Sequence, residues 1–261
     1  SKTKTYNGFS GRADSGDIDN DGDIDVITTE FAGAVCHFND GKGNFKSKLC
    51  TKHGGFTITI GDFNNDGNLD FVNAHGHYNP KYKKYSPQKW SSKSKEKMAL
   101  FYGNGKGGFK MVQRLDPYMI GNFMFSDVPD MTAFDFDNDG DVDIVSSSVG
   151  MYYAGSAWLA YENVNGKLHL SDANVTLAPL DEWQDPKVWG SMVKSESKHP
   201  WNTYCAKSQL IDVNSDGLMD VMCDNAVQHH RMVNHFLINK GNMQFVFVSQ
   251  KEVTKWVHWM K

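Results

Sequence analysis

Five carboxylates stand at every second position in the stretch Asp135-Phe136-Asp137-Asn138-Asp139-Gly140-Asp141-Val142-Asp143. Carboxylates this close repel one another unless a cation sits among them. A donor set made only of oxygen selects a hard ion, and Ca2+ takes six to eight such ligands in flexible geometry. Glycine at the sixth place permits the positive φ that wraps the chain around the ion.

The pattern occurs four times. The first copy is Asp17, Asp19, Asp21, Gly22, Asp23 and Asp25, and the second is Asp62, Asn64, Asp66, Gly67, Asn68 and Asp70. The third is Asp135, Asp137, Asp139, Gly140, Asp141 and Asp143, and the fourth is Asp212, Asn214, Asp216, Gly217, Leu218 and Asp220. Places 1, 3 and 5 are always Asp or Asn, and place 9 is always Asp. Place 7 varies. Leu218 cannot ligate through its side chain, so place 7 is expected to offer its carbonyl. These twenty residues are the expected ligands of about four Ca2+ ions. One such loop alone also reads as a hydrated acidic turn or an EF-hand. An EF-hand needs a Glu at place 12 and flanking helices. Here place 12 is Thr28, Asn73, Ser146 and Cys223.

A short apolar run comes directly after each loop: Val26-Ile27, Phe71-Val72, Ile144-Val145 and Val221-Met222. Such runs read as buried strands. Extending the reading gives strands at 11–16, 25–30, 34–38 and 45–51, then at 56–63, 70–74, 98–102 and 109–114. Two further sets fall at 131–136, 143–149, 157–162 and 167–171, and at 206–213, 220–225, 236–239 and 244–249. Turns rich in Asn and Gly at 39–44, 103–108, 163–166 and 239–242 supply the left-handed positions that hairpins require.

Strand, DxDxDGxxD loop, strand, then a hairpin ending in Asn39-Asp40-Gly41-Lys42-Gly43-Asn44-Phe45 resembles the FG-GAP/VCBS repeat, the blade of integrin-α-type β-propellers. The resemblance implies an all-β fold, a β-propeller of four four-stranded antiparallel blades, each with its calcium loop between the first two strands. The expected single domain spans 1–261, with blades at about 10–52, 55–115, 130–173 and 204–250 and inserts at 75–97, 116–130 and 174–204. Residues 2–9 read as an extra strand that completes the last blade. An open array that closes only against another chain is the alternative to a ring. Propellers of this type serve as adhesion receptors, lectins, polysaccharide lyases and scaffolds, so function must come from sites.

The four cysteines form two local pairs, Cys36 with Cys50 and Cys205 with Cys223. Counted from Gly43, the first pair falls opposite across a hairpin. An even count in local pairs points to two disulfides and a secreted, extracellular protein. The sequon at Asn174 agrees with secretion. No run of 18 apolar residues occurs, so no membrane span is expected.

Inserts on a rigid scaffold commonly carry binding. The first holds His75, His77, Tyr78, Tyr82 and Trp90 with seven lysines against one Glu96, and the third holds Trp183, Trp189 and Trp201. Sugars stack their C–H faces on Trp and Tyr, and lysines attract acidic glycans. These eight aromatic and histidine residues are the expected ligand site, with carbohydrate or glycoprotein as partner, although many aromatics in long loops pack beneath their own loop. Nucleic acid is not expected, because the basic charge is local and no matching motif occurs. A polysaccharide lyase is the enzymatic alternative, built from His75, His77, Tyr78 and Arg114 or from His229, His230 and Arg231. No specific catalytic signature occurs, and no catalytic residue is assigned. A self-assembling, homo-oligomeric or adhesive protein is the third reading, favoured by 12 methionines.

Overall fold

The computed structural model describes residues 12–30, 33–74, 98–120, 123–150, 156–177, 205, 207–224 and 235–255. The first sheet runs β1 (Ala13–Gly16), β2 (Asp25–Glu30), β3 (Gly33–Asn39) and β4 (Phe45–Thr51) in chain order. The second has the same plan with β5 (Thr57–Gly61), β6 (Asp70–Ala74), β7 (Met98–Gly103) and β8 (Phe109–Leu115). Every pairing in these sheets is antiparallel.

The third sheet is larger than the sequence implies. It is built from β9 (Tyr118–Ile120), β10 (Phe123–Phe134), β11 (Asp143–Gly150), β12 (Ser156–Val164), β13 (Lys167–His169) and β14 (Val175–Leu177). Its order is β13-β12-β11-β10-β9, and β14 also pairs with β12. Residues 116–130, expected as an insert, are thus largely sheet, and Phe125 and Val128 belong to the core. The fourth sheet is β15 (Lys207–Ile211), β16 (Asp220–Asp224), β17 (His235–Asn239) and β18 (Phe245–Ser249), with the short helix α1 (Gln250–Val253) after it. The proposed strand at 2–9 lies outside the described residues.

Local chemistry fixes these strands. The second strand of each sheet opens on a buried Asp followed by two apolar residues, Val26-Ile27, Phe71-Val72, Ile144-Val145 and Val221-Met222, and all five residues of β6 are buried. Asn165 and Gly166 take φ of 53° and 79° between β12 and β13, the two left-handed positions of a type I′ hairpin turn.

The first strands lie side by side: β1 against β5, β5 against β10, and β10 against β15. No comparable contact joins β15 to β1 among the described residues. Three apolar cores fill the spaces between neighbouring sheets. Ile18, Ile27 and Cys36 meet Phe71 and Phe101 between the first two. Phe63, Val72 and Leu100 meet Ile144, Leu159 and Tyr161 between the second and third. Phe136, Val145 and Trp158 meet Val221, Cys223 and Leu237 between the third and fourth. A fourth cluster, Val213, Phe236, Ile238 and Val248, is covered by Val253 of α1.

Both expected disulfides form, Cys36–Cys50 and Cys205–Cys223. The first is not a directly opposed pair. Cys36 faces Lys48, and a bulge between the Ala34–Thr51 and Val35–Leu49 pairs makes Cys50 the extra residue that turns back to meet it. The sequon residue Asn174 is 7% exposed in a 3-10 turn, and Thr176 donates its hydroxyl to the carbonyl of Phe245, so both are engaged in packing.

Candidate metal centre

All four acidic loops adopt one conformation, and each lies between the first and second strand of its sheet. Place 4 is left-handed in every copy: Asn20, Asn65, Asn138 and Ser215 have φ of 58°, 55°, 62° and 59°. Place 6 is Gly22, Gly67, Gly140 and Gly217, with φ of 95°, 81°, 96° and 88°. The place-1 carboxylate accepts from two amides. Asp135 takes those of Asp139 at 3.1 Å and Gly140 at 3.0 Å, and Asp17, Asp62 and Asp212 repeat this. The place-5 carboxylate accepts the amide of place 7, as Asp139 does from Asp141 at 2.8 Å. These bonds fold the loop so that its side-chain oxygens converge.

Place 9 has a second duty. Asp25, Asp70, Asp143 and Asp220 are at most 1% exposed. One oxygen of each accepts the amide of place 2, from Ile18, Phe63, Phe136 and Val213, at 3.0 Å in every loop. The other accepts an amide at the end of the third strand, from Asn39, Gly103, Asn163 and Asn239, each at 2.8 Å. Each carboxylate oxygen has further lone-pair capacity, so place 9 can pin the sheet and face an ion together. Burial pushes the Asp143 carboxyl up to about 7, with Asp137 and Asp139 adding to the rise against the amides of Asn163 and Phe136. Burial raises Asp70 to about 6 against the amides of Gly103 and Phe63.

Carboxylate oxygens of Asp17, Asp19 and Asp21 lie within 4.8 Å of one another, as do those of Asp135, Asp137 and Asp143. No loop carboxylate pairs with a lysine or arginine among the described residues; the ion pair found there joins Arg12 to Asp130. Oδ1 of Asp19 is buried without a hydrogen-bond partner. Burial and then the charges of Asp21, Asp25 and Asp17 raise its carboxyl above the usual range. A buried oxygen acceptor beside other carboxylates fits a hard cation.

The side chains of place 7 engage neighbouring groups, which leaves the backbone carbonyl as the oxygen this place was expected to offer. Asn68 accepts from Asn20 of the first loop, and Asp141 accepts from Asn65 of the second. The carboxylate of Asp23 lies against Gly41, where an added Cβ would meet it at 2.6 Å. The expected ligand-site residues His75, His77, Tyr78, Tyr82, Trp90, Trp183, Trp189 and Trp201 lie outside the described residues, as do His229, His230 and Arg231.

Residues 17–72 match the model of the FG-GAP-like repeat family. That match opens on Asp17 of the first acidic loop and takes in the whole of the second. No curated protein matches the chain. Among solved structures, a lectin from Agrocybe aegerita, described for specific recognition of non-reducing terminal N-acetylglucosamine, is 14% identical with a TM-score of 0.48, over 92% of this chain and 52% of that one. An exotype rhamnogalacturonan lyase is 13% identical with a TM-score of 0.39, over 90% of this chain and 48% of that one. The chain spans about half the length of each.

Sequence reading missed a second set of linking residues. The third strand ends in Asn39, Asn163 and Asn239 in three of the sheets. The amide group of Asn163 donates to the carbonyl of Phe63 at 2.8 Å, and that of Asn239 to Phe136 at 2.7 Å, each reaching the preceding sheet. The recurrence of Asn before each hairpin turn was the available signal.

Proposed function

We propose that this chain is a secreted, calcium-stabilised β-propeller-type module that binds carbohydrate. The observation that carries the calcium reading is the shared folding of four acidic loops, with carboxylate oxygens converging in the first and third and no ion pair to a basic side chain among the described residues. Asp, Asn and backbone oxygens at places 1, 3, 5, 7 and 9 are the proposed ligands. The ion's part is structural: it neutralises the loop and fixes the junction of the first two strands. Two disulfides support an oxidising, extracellular setting.

The carbohydrate reading rests on the aromatic inserts and on the rim they leave from. In the second sheet the loop end is marked by the pair Gly61–Asp70, and the far end by Thr57–Ala74. Insert 75–97 therefore departs at the end away from the acidic loop. Residues 178–204 likewise precede β15, whose far end enters the fourth loop. In this reading the sugar site lies at the end of the sheets away from the acidic loops, and calcium acts on the ligand through the scaffold. A glycan-array screen in calcium, repeated in chelator, tests this: selective binding that is lost with chelator is expected. A blank array from folded, monodisperse protein overturns the carbohydrate reading.

One observation favours assembly as a second reading. Phe45 is 51% exposed, whereas Leu168 and Phe245 at the equivalent place are 1% and 9% exposed. Among the described residues the side-chain amide of Asn39 donates to Ile24 of its own sheet at 3.2 Å and to no other sheet. The outer face of the first sheet thus has the form of an inter-sheet contact without a counterpart among the described residues. Light scattering across a concentration series discriminates: an oligomer whose mass falls on Phe45→Lys substitution favours assembly.

A further inference from the structure

Under the calcium reading the four loops are equal and separate, but two hydrogen bonds run between them. Asn20, place 4 of the first loop, donates from Nδ2 to Oδ1 of Asn68, place 7 of the second, at 2.8 Å. Asn65, place 4 of the second, donates from Nδ2 to Oδ1 of Asp141, place 7 of the third, at 2.5 Å. Donor and acceptor places are the same in both. We infer that place 4 of one loop and place 7 of the next form a relay that couples neighbouring calcium sites, and that the relay stops at Leu218. This rests on the calcium reading above.

Each end of a relay bond is tied to groups expected to hold the ion. Place 4 sits between ligand places 3 and 5 and is held left-handed, a backbone state that Asn tolerates better than most residues. At the receiving end the amide of place 7 donates to the place-5 carboxylate, 2.9 Å from Asn68 to Asp66 and 2.8 Å from Asp141 to Asp139. Ordering of one loop around its ion therefore fixes one partner of the bond, and the other loop loses less conformational entropy when it orders. Such coupling is reciprocal by necessity. The bond to Asp141 is also charge-assisted.

The chain contains its own control. Asn138 is left-handed like Asn20 and Asn65, but the residue facing it by the rule is Leu218, which has no side-chain acceptor. No hydrogen bond joins those two loops among the described residues, nor does Ser215 of the fourth loop bond Asp23 of the first. The relay thus links three loops and does not reach the fourth, which among the described residues meets the third only through Asn239, bonded to Phe136 and Met219.

The test is a calcium titration of the whole chain by calorimetry, with melting temperature tracked at each calcium level. Three sites filling together in a steep phase and one filling independently is the expected result. Asn65→Gly keeps the left-handed backbone while deleting the donor. It should flatten the steep phase and weaken it about five- to tenfold, the lower range of site-to-site coupling. Leu218→Asn should draw the fourth site into the steep phase, a gain that a merely structural role does not provide. Four independent sites in the native chain, or an unchanged titration in Asn65→Gly, overturns the relay. Absence of any calcium binding overturns the metal reading itself, and the relay with it.

Discussion

Asp130 on β10 accepts two hydrogen bonds from Ser208 on β15, from its amide at 2.5 Å and its hydroxyl at 2.6 Å. The carboxylate is largely buried, and burial raises its proton affinity while Ser208 and Arg12 oppose the rise. Arg12, just before β1, stands 4.0 Å away. One carboxylate therefore ties the first, third and fourth sheets near their first strands. Ser208→Ala removes the hydroxyl bond and leaves Asp130 under-satisfied. It should cost about 1–3 kcal/mol of stability in urea denaturation, with the slope unchanged.

Removal of calcium should lower the melting temperature sharply. A site held at about a hundred times its dissociation constant contributes about 2.7 kcal/mol. Asp139→Ala takes away a proposed ligand together with the acceptor for the Asp141 amide, so it should destabilise the calcium-loaded chain by about 1–3 kcal/mol. Lys106→Ala, at an exposed turn position, should change stability by less than about 0.5 kcal/mol. Scanning calorimetry in calcium and in chelator checks both. Equal melting in the two conditions would remove the four-site assignment.

The pH response should depend on calcium. In the folded chain without calcium Asp143 titrates at about 7 and Asp70 at about 6, both above the ordinary 3.8. The folded chain then holds more protons than the unfolded one between these values, so this stability is full below about pH 4 and is lost as pH rises towards 7. In chelator the melting temperature should fall over that range. With calcium the ionised form is favoured, and the fall should disappear. Calorimetry near pH 6 in buffers of different ionisation enthalpy should detect protons released as calcium binds.

The Gly140 backbone is a direct test of loop conformation. Its φ is 96°, and nothing lies within 4 Å of an added Cβ, so a side chain meets no clash there. Gly140→Ala should still cost about 1–2 kcal/mol, because the penalty is in the backbone. A neutral result by denaturant titration would show that the loop relaxes to a different turn.

What was legible in the chain was local. Asp-Gly loops and the apolar runs after them marked where strands begin, and sixteen expected strands have counterparts among the eighteen found. β9 and β14 were missed because three residues show no period, and the Gly121-Asn122 turn signal went unused. Counting from Gly43 placed Cys50 opposite Cys36, but a bulge is a property of pairing and leaves no mark in spacing. The links between sheets were the least visible. Asn65 and Asp141 are 76 residues apart, and Asn239 and Phe136 are 103 apart. Only folding brings them together, so the hydrogen bonds that Asn68 and Asp141 accept from a neighbouring loop left no mark in the sequence.

The pairing of Asn73 with Ala99 has a practical consequence. It sets Ala74 and Met98 side by side at the open end of a hairpin, so the 23 residues between them are topologically dispensable. A tight turn of about two to four residues would join the same strands with the register intact. The scaffold is therefore a chassis on which that segment can be shortened, exchanged or diversified while the acidic rim, a sheet-length away, continues to set the fold.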